Sequence, residues 1–466
     1  MRVIFAVKYS GDEYIGLMRI SSILRNKGYQ VEAVEAEYNK VKERLKDGLP
    51  TVLAYSAPTI FVSHYLKLNK RIKERFNVFS VFGGPHPTAV PEMIKEDGVD
   101  GVCIGEGEFA MLELVDNLCS GRPVNDIKNW WIKENGKVFK NPLRPLIKDL
   151  DSLPFPDREL FKNHALFDRE RIYILTGRGC PYACSFCFNP YYNKIYEGQM
   201  TSIRKRSVEN VIEEIRRFKK DFPLKFVRFY DDIFILPFGW LKEFSSKYKK
   251  YVNLPFYCNV RADLIDSRIA RYLKNAGCFS VSMGLETADD TLRNEILNKE
   301  ITKEQIISAV KLLKEQKIRV RTSNILALSK QSIDKDFDTL RLNIKCRVDY
   351  ASVSMLAFYP KTGVQKSIGK YKHSLLWGLE NNQEKSLVER LYYLFPITVE
   401  YPFLFPLVKI LVRLPLGCLY RVSYLLWQGY CAYFRTYPGG IRAFIKGVKK
   451  YTKKIVFLRK ERYNNA

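Results

Sequence analysis

With 466 residues, 46% of them hydrophobic, and a formal net charge of +27, the chain is too long for one ordinary core and too apolar for a disordered polyelectrolyte. Its ten cysteines are scattered, with only one tight group, which excludes a secreted disulfide framework and points to a reducing cytoplasm. No export signal is read at Met1, because the apolar run Val3 to Val7 is too short.

The first 120 residues alternate strand and helix signals. Strands are expected at Val3–Val7, Tyr29–Val34, Thr51–Tyr55, Val78–Phe82 and Gly101–Ile104, with helices at Leu17–Lys27, Ser63–Phe76 and from Phe109. Such units predict a parallel sheet with ligand loops at the strand C-terminal ends. Residues 129 to 161 carry Pro142, Pro145, Pro154 and Pro156 and read as an irregular interdomain connection. A second series has strands at Ile172–Leu175, Phe226–Tyr230, Phe256–Val260, Ser280–Leu285, Arg319–Leu326 and Ala351–Phe358. Helices such as Val208–Lys220 and Thr302–Lys314 fit between them, so six units of a partial or open barrel are expected. The domain boundaries that follow are 1–128, a linker 129–165, 166–365, and a helical, basic region 366–466.

The decisive segment is Gly177-Arg178-Gly179-Cys180-Pro181-Tyr182-Ala183-Cys184-Ser185-Phe186-Cys187. Cys180, Cys184 and Cys187 follow a CxxxCxxC spacing, which lets one loop wrap a cuboidal iron–sulfur cluster. Three thiolates for four irons leave one iron open for chemistry. Zinc would need a fourth ligand, and the nearest histidine, His164, precedes the expected strand. The bland alternative is a loop of three unliganded thiols.

With an aromatic residue just before its last cysteine, at the end of a first barrel strand, this segment resembles the radical S-adenosylmethionine (SAM) superfamily. The resemblance implies a 4Fe–4S cluster whose unique iron chelates SAM, and one-electron reduction, from a flavodoxin- or ferredoxin-type donor, to a 5′-deoxyadenosyl radical. It implies that Phe186 packs on the adenine; unaided, Phe186 reads as a core aromatic. Arg204-Lys205-Arg206-Ser207 and Phe229-Tyr230-Asp231-Asp232-Ile233-Phe234 resemble further segments of that family. Asp231 and Asp232 are thereby candidates for the SAM ammonium, against a turn or helix cap for at least one of them. Arg261, ending the third strand, could meet a carboxylate, against a surface ion pair. Glu286 is a candidate for the ribose hydroxyls. Lys299 is expected to be solvent-exposed.

The segments before the cluster resemble the cobalamin-binding domain of one radical SAM subclass. They are Gly16-Leu17, Gly28-Tyr29-Gln30-Val31, Gly83-Gly84-Pro85-His86-Pro87-Thr88 and Gly105-Glu106-Gly107-Glu108. The resemblance assigns Gly83, Gly84, His86, Gly105 and Glu106 to the cobalamin site. The Asp-x-His-x-x-Gly motif that supplies a lower axial histidine is absent, and His86 is expected to shape its loop rather than ligate cobalt. The implied fold is α/β: a Rossmann-like cobalamin-binding domain, a partial (β/α)6 radical SAM barrel, then a helical C-terminal region. The implied reaction is methylation of an unactivated carbon. A non-methylating cyclase or carbon–carbon coupling enzyme on a lipid or pigment is the second reading. A non-catalytic metal-binding protein that contacts membrane or nucleic acid is the third.

The last fifth differs in character. From Lys366 onward there are 18 Lys/Arg against 5 Asp/Glu, which suits an anionic membrane surface or an acidic substrate. No recognition motif supports nucleic acid. Charged residues interrupt the apolar stretch Tyr392 to Trp427, so no membrane-spanning helix is expected, and prolines 396, 402, 406 and 415 argue against one long helix. A cap over the barrel mouth and an interfacial helix set around Ile441 to Arg462 are the two readings. The expected partners are a small-molecule or lipid substrate and, for the interfacial reading, the inner membrane surface.

Overall fold

The computed structural model describes residues 1–8, 13–164, 167–199, 203–328, 333–364 and 382–434. The first sheet contains β1 (Arg2–Val7), β2 (Gln30–Glu35), β3 (Thr51–Ser56), β4 (Phe79–Gly83), β5 (Gly101–Cys103), β6 (Trp130–Glu134) and β7 (Lys137–Lys140). Its order is β2-β1-β3-β4-β5-β6-β7, parallel through β5. Strand β1 is buried along its whole length, as the continuous run Val3 to Val7 requires of a strand covered on both faces. The order reverses between β1 and β3, and a doubly wound sheet opens a ligand crevice at such a point.

One expectation fails here. Residues 129 to 161 are not simply a connection, because β6 and β7 form an antiparallel hairpin that extends the first sheet beyond β5. Its turn is Asn135-Gly136, with φ of 49° and 76°. Both values are positive, the twist that a tight hairpin turn demands.

The second sheet contains β8 (Arg171–Ile174), β11 (Phe226–Phe229), β12 (Phe256–Val260), β13 (Cys278–Glu286), β14 (Arg319–Leu326) and β15 (Tyr350–Met355). A two-stranded ribbon of β9 (Gly177–Arg178) and β10 (Arg204–Lys205) stands beside it. The six strands run parallel in the order β15-β14-β13-β12-β11-β8, and no pairing of β15 with β8 occurs among the described residues. This is the expected partial barrel.

Its outer helices are written in the sequence. In the helix Val208–Asp221, Val208, Val211, Ile212, Ile215 and Phe218 recur at helical spacing and are buried, and the Ser207 hydroxyl caps the start by accepting from the Asn210 amide. Asp266 caps Ser267–Ala276, and Gly277 ends it with φ 94°. Thr302 and Gln305 form a reciprocal capping box at Lys303–Glu315.

Of the C-terminal region, the structure describes helices Asn382–Glu400, Phe405–Leu411 and Gly417–Phe434. No one helix spans Tyr392 to Trp427, as the prolines led one to expect; Pro396 lies inside the first helix without ending it, and Pro402 and Pro406 stand at helix starts. The first helix's Val388, Leu391, Phe395 and Val399 join the core cluster that contains Phe337, Leu340, Ala351 and Val353. It therefore flanks the last barrel strand. The basic stretch 441–462 lies outside the described residues.

The two sheets are clamped by buried ion pairs. Arg158 bonds Glu214 at 2.8 Å and also pairs with Glu13, while Asp157 accepts from Ser21 at 2.6 Å. Burial, only partly offset by Arg158, raises the Glu13 carboxyl to about 7.

Candidate functional site

Cys180, Cys184 and Cys187 all line one cleft of about 440 Å³ at the C-terminal ends of the barrel strands. The loop that carries them is held from several sides. The Asn193 amide donates to the Cys180 carbonyl at 2.9 Å, Ser185 bonds the Leu297 carbonyl with its backbone N–H at 2.9 Å, and Asn298 donates to the Ala183 carbonyl at 3.0 Å. Val364 closes the loop by donating to the Ser185 carbonyl at 2.9 Å.

Burial pushes Cys180 up to about 11 and also raises Cys187, so both are protonated until a cation displaces the protons. Arg261 reaches toward the Cys184 sulfur at 3.7 Å. Among the described residues, no three His, Cys, Asp or Glu side chains gather closely enough for a single metal ion. A cuboidal cluster has a different demand: it spreads its thiolates over separate iron corners. Three sulfurs around one cleft fit that donor set.

The two candidate aspartates are separated by the fold. Asp231 is 3% exposed and fully engaged, accepting from the Thr176 hydroxyl at 2.6 Å, the Thr176 amide at 3.2 Å and Lys205 at 3.0 Å. It knots β8, β10 and β11 together. Asp232 instead opens to the cleft, where surrounding protein raises its pKa and a hydrogen bond from Asn189 opposes the rise.

Arg261 is 6% exposed and not part of a surface ion pair. It stacks 3.6 Å from the centroid of the Tyr182 ring, pairs with Asp263 at 2.8 Å and donates to the Lys299 carbonyl. It braces the cysteine loop against the segment after β13.

Lys299 is 7% exposed rather than solvated, and its ammonium lies 2.8 Å from Glu286. The pair needs Gly284 beneath it, because a Cβ there would overlap both charged groups. Glu286 itself sits at φ 62°, a left-handed conformation that a non-glycine residue holds only when its surroundings impose it. Phe186 lines the same cleft and packs on the cluster that contains Leu297, Ile325, Leu328 and Leu356.

Sequence reasoning missed other lining residues: Asn189, Asn259, Ser282, Ser323 and Ser354. Ser282 and Gly284, like Ser323 and Ile325, are alternate strand positions, so a period-two reading of strand ends carries the signal.

A second cleft, of about 430 Å³, lies between the two sheets' C-terminal edges. Phe5, Ala54 to Ser56, Gly83, Gly84, Gly105 and Glu106 line it, at and beyond the β1/β3 reversal. Gly16 also lines it, with open space where a Cβ would stand. Close backbone approach at the ends of parallel strands fits a flat macrocycle. His86 is not among the lining residues; its Nδ1 lies 3.2 Å from the Thr59 hydroxyl, and burial lowers its pKa. The Glu106 carboxylate is committed to Arg178 at 2.7 Å, Arg204 at 2.9 Å and the Ile147 amide at 2.9 Å. Burial would raise its pKa, but the two guanidiniums hold it below the usual carboxylate range. Asn189 and Asp232 line both clefts, so the two share a wall.

Comparison with known proteins agrees with this geometry. A model of the radical SAM superfamily matches residues 174–343, and a B12 binding domain model matches residues 2–115. The chain is 30% identical over 366 residues to an uncharacterized methyltransferase of Pyrococcus horikoshii, covering 75% of this chain and 76% of that protein. It is 28% identical over 349 residues to the anaerobic magnesium-protoporphyrin IX monomethyl ester cyclase of Rubrivivax gelatinosus, covering 71% of this chain but only 60% of the relative. Among solved structures, the cobalamin-dependent SAM radical enzyme OxsB with aqua-cobalamin and SAM bound superposes with a TM-score of 0.68 at 15% identity. That match covers 98% of this chain and 75% of OxsB. The SAM methyltransferase TsrM of Kitasatospora setae gives 0.64 at 17% identity, covering 79% of this chain and 76% of TsrM. The chain is an enzyme of the radical SAM superfamily and belongs to the subclass that carries an N-terminal cobalamin-binding domain.

Proposed function

We propose that this enzyme transfers a methyl group to an unactivated carbon of a small-molecule or lipid substrate. One observation carries the reading: the cysteine-lined cleft and the cleft over the first sheet share Asn189 and Asp232. A substrate carbon at that wall is within reach from both sides, as a reaction with one hydrogen removed and one methyl group delivered requires. When bound, the cluster and SAM supply the hydrogen-abstracting radical, and cobalamin supplies the methyl group.

The chain's own residues do the rest. Cys180, Cys184 and Cys187 hold the cluster as thiolates, and Arg261 and Tyr182 brace their loop. Phe186 offers a face to the adenine. Asp232, which lines the cleft, would accept from the SAM ammonium, while Asp231 stays structural. Glu286, held by Lys299, faces the ribose hydroxyls. Gly83, Gly84 and Gly105 would let backbone approach a bound cobalamin, Glu106 fixes its own loop through Arg178, Arg204 and the Ile147 amide, and His86 shapes the neighbouring turn.

An electron donor of flavodoxin or ferredoxin type completes the reaction, and the enzyme works in the cytoplasm with peripheral membrane contact. The test is anaerobic reconstitution with iron, sulfide and cobalamin, then turnover with methyl-labelled SAM and candidate substrates. Label in the product supports the proposal. Deoxyadenosine formation with unlabelled product favours the cyclase reading, which the similarity to the Rubrivivax enzyme motivates. No deoxyadenosine at all overturns both.

A further inference from the structure

Exposed large apolar side chains are concentrated in the described C-terminal region. Phe403, Leu407, Ile410, Leu414, Leu416, Leu419, Val422 and Leu426 all stand outward, with Phe403 74% and Leu426 67% exposed. In the helix Gly417–Phe434 the residues Tyr420, Tyr424, Trp427 and Cys431 form the inward stripe. Leu419, Val422 and Leu426, spaced by three and four, form a second stripe facing away from it. A helix apolar on both faces has half of its surface left to bury elsewhere.

The charge around this surface has one sign. From Tyr401 to Phe434 there is no Asp or Glu, and Lys409, Arg413 and Arg421 are the charged residues. From residue 435 to the end the sequence adds ten Lys/Arg against one Glu. No helix of the described residues is long and apolar enough to cross a membrane.

We propose that residues 402–426 form an interfacial anchor that seats the enzyme on an anionic lipid bilayer, with the leucines and Phe403 entering the acyl boundary and the basic residues meeting the headgroups. An amphipathic surface of this make-up binds by apolar burial and charge attraction together. A soluble acidic partner would satisfy the cations but would leave the leucine stripe with no special need for lipid. The proposal deepens the membrane contact named above and does not rest on the methylation chemistry.

The test uses the full-length reconstituted enzyme and sedimentation with two vesicle preparations: phosphatidylcholine alone, and phosphatidylcholine with phosphatidylglycerol. The proposal expects binding to the anionic vesicles, reduced roughly tenfold or more on neutral vesicles or at high salt. The double substitution L419E/L426E is expected to lower binding to anionic vesicles by roughly tenfold or more. Deoxyadenosine formation from SAM should be unchanged in that variant, which confirms that it folds. If the variant fails to fold, the milder I410S/V422S pair gives the same readout. Equal binding by wild type and variant overturns the proposal. So does the absence of vesicle binding, whether or not light scattering then shows a dimer sealed by the same leucines. Failure of the catalytic reading leaves the vesicle assay intact, so the two ideas fail separately.

Discussion

Replacing Lys299 with Met removes the cation from beneath Glu286. The ammonium is 2.8 Å from the carboxylate, and Lys299 and Glu286 are 7% and 5% exposed. Removing one partner of a buried pair leaves the other uncompensated, at a cost of roughly 3–5 kcal/mol. The cleft admits water on one side of Glu286, which places the cost near the lower end, about 3 kcal/mol. For a unit of the barrel's size that lowers the melting temperature by about 6–12 °C. The measurement is anaerobic thermal unfolding of the apoprotein, following the barrel transition. The double variant E286L/K299M removes both charges and should recover much of the loss, giving a coupling energy of roughly 2 kcal/mol. A K299M variant within about 0.5 kcal/mol of wild type, or a double variant equal to the sum of the single ones, would refute the reasoning.

Substituting Cys184 with Ala is expected to abolish cluster assembly and deoxyadenosine formation while leaving far-ultraviolet circular dichroism unchanged; iron analysis reads the first and a preserved fold excludes collapse as the cause. Asp336 is buried and, among the described residues, its carboxylate accepts from the Ala327 amide at 3.3 Å, while burial raises its carboxyl to about 7. Between pH 4 and 7 the folded chain then binds the extra proton, so this group's contribution to stability falls as pH rises through that window, by up to about 4 kcal/mol. D336N should flatten that slope in denaturant titrations at several pH values, and an unchanged slope would count against the assignment. Gly105 has φ 81°, and a Cβ there would overlap the Tyr196 hydroxyl. G105A is expected to lose cobalamin during gel filtration at least tenfold faster, on the order of 1.4 kcal/mol, whereas G16A, with open space at its Cβ, should retain it.

Much of the fold was legible because local signals and tertiary need agree. Strand β12 and strand β14 fall at the residues the apolar runs mark, and Ser207, Asp266 and Thr302 announce their helices. The hairpin of β6 and β7 was obscured by the prolines that follow it. Its signal was still present, since Asn135-Gly136 separates Trp130 to Lys133 from Lys137 to Phe139. The cysteines were legible because metal chemistry dictates spacing within one loop. Lys299 was not, because its burial depends on a missing side chain at Gly284, fifteen positions earlier on another element. The division of labour between Asp231 and Asp232 likewise rests on Thr176 and Lys205, partners that adjacency in sequence does not reveal.

Arg178 stands two residues before Cys180 and grips both Glu106 and Glu108 of the first sheet's crevice. The cluster loop is therefore tethered at its root to the floor on which a corrin ring would rest. Thermodynamic reciprocity then applies: whatever factor one prosthetic group adds to the other's affinity must be returned in equal measure. The order in which the two are loaded becomes immaterial to the final state, and any tightening or loosening that one causes in the other is mutual.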